Sequence, residues 1–394
     1  MRGKAAQFVC SAVAVLIVTA TPSAALAGSG RACPVLHWGT FTEARGIQAT
    51  MLSPTAVSIR SSSPVIQVGS SNSTEYALLA NGTLWAWGLG KYGQLGNGAT
   101  ENSLSTAVRV RFPAGISIAA IPVNSMPFDT ALAVDTHGHV WGWGRNDGGP
   151  LCLGNMRSHD RPVELPFTDV TELAGAAEHA FYDAGGVLYS CGLDSSGVLG
   201  AGPHAPRDAL TPVRVKNLNG NKVTALVSSW QNGGALLGSG QYYDWGYNEQ
   251  GQLGDGGTTH SSVPVLVSLP SQSPVVGAAQ GGSLANNGQT LVRLADGAVY
   301  GWGDNSYRQL DASGPAIQLT PQHIHPPAGV SYRTMASGGG TTYAITTPGD
   351  VYARGWNRYG QIGDGTTTDA PKPVLVASGV SLISSTAKNV VVGC

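Results

Sequence analysis

The sequence predicts an all-β fold, a seven-bladed β-propeller with four short antiparallel strands in each blade. Three observations carry this expectation. A short aromatic segment ending in glycine recurs about every fifty residues, a period that belongs to propellers and related arrays rather than to separate domains. A second glycine stands six residues before each of six copies of that segment. Finally, the 55 Gly and 23 Pro among 394 residues favour many short strands with tight turns over a helical bundle. Only 11% of the residues are charged, but 42% are hydrophobic, enough for a large core.

Taken in order, the chain opens with an address. Arg2 and Lys4 precede an apolar run over 8–20, and Ala25-Leu26-Ala27 offers the small-x-small pattern of a signal peptidase site. A signal peptide over 1–27 is expected, with a single propeller domain over 28–394, secreted to an extracellular or periplasmic space. Cys10 lies in the apolar run without the small residues that lipoprotein processing needs. No later stretch reaches about 18 apolar residues, so no membrane insertion is expected. A net charge of −1 gives no basic footprint for nucleic acid.

The repeat follows. Val35-Leu36-His37-Trp38-Gly39, Leu84-Trp85-Ala86-Trp87-Gly88 and Val140-Trp141-Gly142-Trp143-Gly144 are its first copies. Later ones end at Gly192, Gly246, Gly303 and Gly355, with spacings of 49, 56, 48, 54, 57 and 52 along the series. The earlier glycines, such as Gly82 after Asn81 and Gly297 after Asp296, mark two-residue hairpin turns. Short apolar strands such as Tyr76-Ala77-Leu78-Leu79 precede those turns. After the segment, a loop closes on Gly93-Gln94-Leu95-Gly96, Gly251-Gln252-Leu253-Gly254 or Gly360-Gln361-Ile362-Gly363. Outer strands led by Pro212, Pro264 and Pro373 come next, proline suiting the first residue of a strand. Four strands per unit make one blade.

These residues resemble the repeats of the regulator of chromosome condensation family, which form seven-bladed propellers. The resemblance covers essentially all of the chain after the signal peptide. Cys191 and Arg354 depart from it in the Trp column, and Gln309-Leu310-Asp311 departs in the loop. The family's repeat often carries a His at the start of the second strand; that column reads here Thr74, Thr130, Glu178, Asn232, Gln289, Thr341 and Ala387.

The chain ends share a blade. Cys33 falls where other units have the turn glycine, and Cys394 ends a strand in the Asn81 column, so a Cys33–Cys394 disulfide is expected to replace a missing hairpin turn. Two unrelated terminal thiols are the alternative. Cys152, in the Gln column of its loop, and Cys191 then remain to pair between neighbouring blades; the alternative is that Cys191 is a small buried substitute for Trp.

Catalytic signatures are sparse. Gly88-Leu89-Gly90-Lys91-Tyr92-Gly93 matches a dinucleotide fingerprint, but Gln94-Leu95-Gly96-Asn97-Gly98 cannot open the helix that the phosphates need. His323 and His325 would share a strand face, yet no third zinc ligand accompanies them and Pro326-Pro327 follows. Asp255-Gly256 and Asp364-Gly365 read as turns rather than calcium loops. Asn72-Ser73-Thr74 and Asn81-Gly82-Thr83 are glycosylation sequons. No cofactor, metal or catalytic residue is expected.

Recognition remains. Loops entering the second strands gather on one face, and they vary most at Met126 and Phe128, at Glu178 and His179, and at Trp230 and Gln231. Trp230 stands apart from the strand-end motif, and such aromatics are enriched at binding hot spots. Capping of the central channel is the alternative for it. Tyr92, Tyr307 and Tyr359 share a loop column and read as packing. The reading is a secreted, non-enzymatic, monomeric propeller that binds a protein partner, an inhibitor being one version. The alternatives are guanine-nucleotide exchange on a small GTPase, as the resemblance to the founding nuclear member implies, and a propeller-fold hydrolase or lyase.

Overall fold

Thr74–Leu79, Thr130–Asp135, Asn232–Leu237 and Thr341–Thr346 are buried at every residue, which explains why their middles read as short apolar runs, such as Tyr76-Ala77-Leu78-Leu79, without alternation. Each is the second strand of a blade packed between two other blades. The computed structural model describes residues 34–43, 46–122, 126–218, 221–282, 288–311 and 313–394. Among them every helix or strand is a strand, arranged as seven four-stranded antiparallel sheets. The predicted all-β propeller with seven blades is what the chain forms. The proposed leader 1–27 and Cys33 lie outside the described residues.

Blades 1 to 6 span 65–109, 118–164, 170–214, 223–266, 275–323 and 332–377. Blade 7 takes Leu382–Ser385 and Asn389–Gly393 from one chain end and Leu36–Glu43 and Gly46–Ala56 from the other. Leu36 pairs with Val392 and Gly39 with Asn389, so the ring closes through a strand ladder, as the split repeat implied. That register puts Cys394 across from Pro34, two residues nearer the strand than the Asn81 column. Cys394 is not a free thiol.

The turns correct the expected columns. In blade 1, Leu79 N bonds Thr83 O and Gly82 N bonds Leu79 O, so three residues make the turn and only Gly82, at φ +74, is left-handed. In blade 3, Ala184 pairs with Val187 across Gly185 and Gly186, at φ +57 and +76, a true two-residue turn. That turn is one residue shorter. His179, not Glu178, therefore stands opposite Gly192, where Thr74 stands opposite Gly88. In blade 7, with no turn to fix the count, the position belongs to Asn389 rather than Ala387. The column thus keeps the family's His. The prolines also sit differently: Pro212, Pro264 and Pro373 lie inside outer strands, where edge position and bulged pairing tolerate a missing N–H.

The seams between blades repeat one device. Trp143 Nε1 donates to Gln94 O of the preceding blade at 2.9 Å, Trp245 to Val198 O at 2.7 Å, Trp302 to Gln252 O at 2.8 Å and Trp38 to Gln361 O at 2.8 Å. Each indole lies on the second loop glycine, Gly96, Gly200, Gly254 or Gly363, where an added Cβ would come within 2.7–2.9 Å of it. Blade 3 has Cys191 in place of Trp, joined to Cys152 of blade 2 with Cα atoms 5.5 Å apart. The pairing expected of these two cysteines is present. Cys152 takes the place of the second glycine, however, not of Gln. Its N bonds Gly149 O as Gly96 N bonds Gly93 O, and its φ is +57 against +65 for Gly96. In blade 6, Arg354 Nε reaches Gln309 O at 2.9 Å; burial lowers its pKa, and Tyr332 and Asp311 oppose that. At the seam of blades 7 and 1, Trp87 Nε1 donates to Glu75 Oε2 at 2.6 Å, beside His37 Nδ1 at 3.0 Å from the same oxygen.

Candidate functional site

The first strands of neighbouring blades run side by side around the axis, and each feeds a loop on one face of the ring. There Asn72, Met126, Ala176, Ser229, Gly281 and Ser337 meet at the channel mouth. The remaining cleft is only about 40 Å³, close to the room one water needs. Trp230 and Phe128 fill the rest. Ser229 pairs with Asn232, so Trp230 and Gln231 form a two-residue turn that holds both side chains half-buried at the rim. The Trp230 ring meets Phe128 edge-on, with centroids 4.4 Å apart, and Phe128 N is tied to Ala177 O at 2.6 Å. Trp230 is thus neither a free loop residue nor a core residue. One side packs on the mouth and the other faces solvent.

The other sequence candidates divide. Met126 is 2% exposed and belongs to the core between blades 1 and 2, so it cannot belong to a contact surface. His179 is buried too; its Nε2 lies 2.9 Å from Ser228 Oγ, and burial pushes its pKa down to about 3, which keeps it neutral. One-residue register and channel packing place it in the wall. Ser228 is as buried as His179 and also donates to Asn232 O, so this Ser–His pair has no room for a substrate. Glu178 stays on the surface, 3.1 Å from Arg145, whose Nε also pairs with Asp147 at 2.9 Å.

Beside the mouth lies a groove of about 280 Å³ that shares Asn72 with it. Lys91, Arg145 and Lys388 line it with Asp129 and Tyr92. Arg145 and Lys91 stand 5.5 and 5.1 Å from the Tyr92 ring centroid, and Lys388 stands 4.9 Å from that of Tyr359. Lys388 Nζ donates to Thr42 Oγ1 at 2.9 Å, and burial lowers its pKa. Trp356 continues the arc, stacked on Tyr307 at 5.5 Å and edge-on to Tyr359 at 5.3 Å. The three tyrosines of the loop column are therefore half-buried against cations and indole. Trp356 was not among the sequence candidates; its signal is an aromatic directly after the segment glycine, as Tyr247 follows Gly246. Among the described residues no group of three His, Cys, Asp or Glu side chains could hold a metal. What the face offers is aromatic area, cations and hydrogen-bonding groups.

Comparison with known proteins gives the same architecture. The family model for the regulator of chromosome condensation (RCC1) repeat matches residues 81–121, 185–236, 239–285, 296–345 and 348–394. The chain is 28% identical over 330 residues to the ultraviolet-B receptor UVR8 of Arabidopsis thaliana, covering 82% of this chain and 72% of that one. It is 31% identical over 321 residues to the human E3 ubiquitin-protein ligase HERC2, covering 79% of this chain but only 6% of HERC2. Among solved structures, human WBSCR16 superposes with a TM-score of 0.77 at 19% identity, over 92% of this chain and 99% of that one. Prp20p of Saccharomyces cerevisiae gives 0.76 at 19% identity, over 93% and 92%. At that identity the two structures speak for the fold alone.

Proposed function

Because the chain belongs to the regulator of chromosome condensation repeat family, we propose that it is a non-enzymatic propeller that binds a protein partner through its loop face. The observation that carries this reading is the Trp230–Phe128 pair over the channel mouth. Aromatic side chains that are half-buried and preorganised present large area at little entropic cost, the character of binding hot spots. Glu178 and Gln231 lie on the same face, which makes them rim contacts. The arc from Tyr92 to Trp356 extends the surface well beyond a small-molecule pocket. Prp20p was studied for its binding to Gsp1p and histones, so a propeller of this shape can serve protein recognition.

The site of action belongs to the same proposal. Arg2, Lys4, the apolar run and Ala25-Leu26-Ala27 support export, with a mature chain beginning at Gly28. Mass spectrometry of the exported protein checks that start. For the binding itself, the 28–394 chain is used as bait on culture supernatant and cell envelope, alongside Trp230→Ala. Recovery of one stoichiometric protein by the parent and not by the variant supports the reading. Equal capture by both chains, or turnover of a substrate panel, overturns it.

A further inference from the structure

The rim of blade 5 carries a feature that the loop face does not use. His323 is the last residue of the outer strand Ile317–His323, paired with Tyr300 and edge-on to its ring at 5.4 Å. Ile324 is 2% exposed and its N bonds Val299 O at 2.8 Å, which anchors the backbone between the two histidines. With strand periodicity, His323 and His325 then project to the same side, away from the core. Pro326 restricts His325 to extended backbone, so this placement is built into the chain rather than chosen by the side chains. Both imidazoles are exposed. Their Nδ1 atoms lie 3.1 Å apart, with ring centroids separated by 4.4 Å.

We propose that His323 and His325 form a two-histidine chelate for copper(II). At metal–nitrogen bonds of about 2.0–2.1 Å, two nitrogens 3.1 Å apart subtend an angle of about 95–102° at the ion. That bite lies within reach of neighbouring positions of a tetragonal copper(II) site, and among divalent first-row ions an imidazole pair binds copper(II) most tightly. In the metal-free pair one Nδ1–H donates to the other Nδ1. On binding, the donor carries its proton on Nε2 instead, both Nδ1 lone pairs turn to the ion, and the neutral pair releases no net proton. Water fills the remaining positions. The pair therefore holds the ion without a third protein ligand, the lack of which argues against a closed zinc site.

Calorimetric titration of the folded 28–394 chain with copper(II) alone tests this. The parent is expected to bind one ion whose electron paramagnetic resonance spectrum shows two nitrogen ligands, and to bind nickel(II) and zinc(II) more weakly. His323→Ala and His325→Ala are each expected to lose at least about tenfold in affinity with unchanged melting temperature. His139→Ala, altering the separate His137–His139 pair in blade 2, is expected to bind like the parent. If the His323 and His325 variants bind copper(II) as the parent does, or if His139→Ala removes the site, the proposal is overturned.

Discussion

Trp302 and Cys191 occupy the same place in different blades and close their seams by different physics. Trp302 covers Gly254, donates to Gln252 O and sits fully buried among Val267, Val275 and Val292. Its contribution is area and shape, and it needs a glycine opposite because a Cβ there would lie 2.9 Å from the indole. At Cys191 the indole is gone, and so is the need for glycine. Cys152 stands in the glycine's place and spans the space by a covalent bond. The two changes belong together, since each alone leaves a clash or a void. Arg354 shows a third solution, a buried guanidinium that keeps the carbonyl contact, with Asp311 supplying compensating charge. What the repeat requires is therefore a filled, hydrogen-bonded or covalent seam rather than tryptophan as such.

The largest effect expected from breaking this comparison is Trp302→Ala, which should cost about 3–5 kcal/mol in urea unfolding by leaving an indole-sized cavity. Next is the covalent seam. Cys152→Ser with Cys191→Ser, or reduction of the parent, should cost about 2–4 kcal/mol, given a sequence separation of 39. Cys152→Gly with Cys191→Trp should recover most of that loss in reducing buffer, whereas Cys191→Trp alone should not, because the Cys152 side chain blocks the ring. Thermal unfolding of the four chains side by side decides whether the two kinds of seam are interchangeable.

Trp230 sharpens the contrast from the other side, being an indole outside any seam. Trp230→Ala should cost only about 1 kcal/mol of stability, the scale of the Phe128 pairing, while weakening partner binding roughly thirtyfold. A melting temperature that falls as far as that of Trp302→Ala would assign it to the core. Phe128→Ala should show a smaller loss of binding.

Away from the seams, the expected effects are pH slopes within blade 3, each spread over several pH units. Burial, with the charge of Asp183, raises the Glu172 pKa from 4.5 to about 8, so its folded form prefers the proton. Its contribution to stability should fade as pH rises from about 4.5 to 8, and Glu172→Gln should flatten that slope. His179 acts in the opposite direction. Its pKa falls from 6.5 to about 3, so stability should fade as pH drops below about 6.5, and His179→Gln should remove that component. Melting temperature against pH for the three chains separates the two.

The sequence by itself determined the ring. Period, turn glycines and the split final repeat are local or additive signals, and seven copies of them leave one architecture that closes. It also singled out Cys152 and Cys191, which depart from the loop and Trp columns, and Trp230 and Phe128 as separate loop candidates, but it did not bring the two aromatics together. Register was decided only in three dimensions. A turn shorter by one residue moved His179 into the column and into the wall, and no count from the segment glycine detects a turn type that depends on two left-handed glycines. The same holds for Met126, which reads as a loop residue but packs between blades 1 and 2. Burial depends on what lies across a seam, and the partner across a seam is some fifty residues away in the chain. Trp356 and Lys388 reach the loop face through such distant neighbours, Tyr307 in one case and Tyr359 and Thr42 in the other.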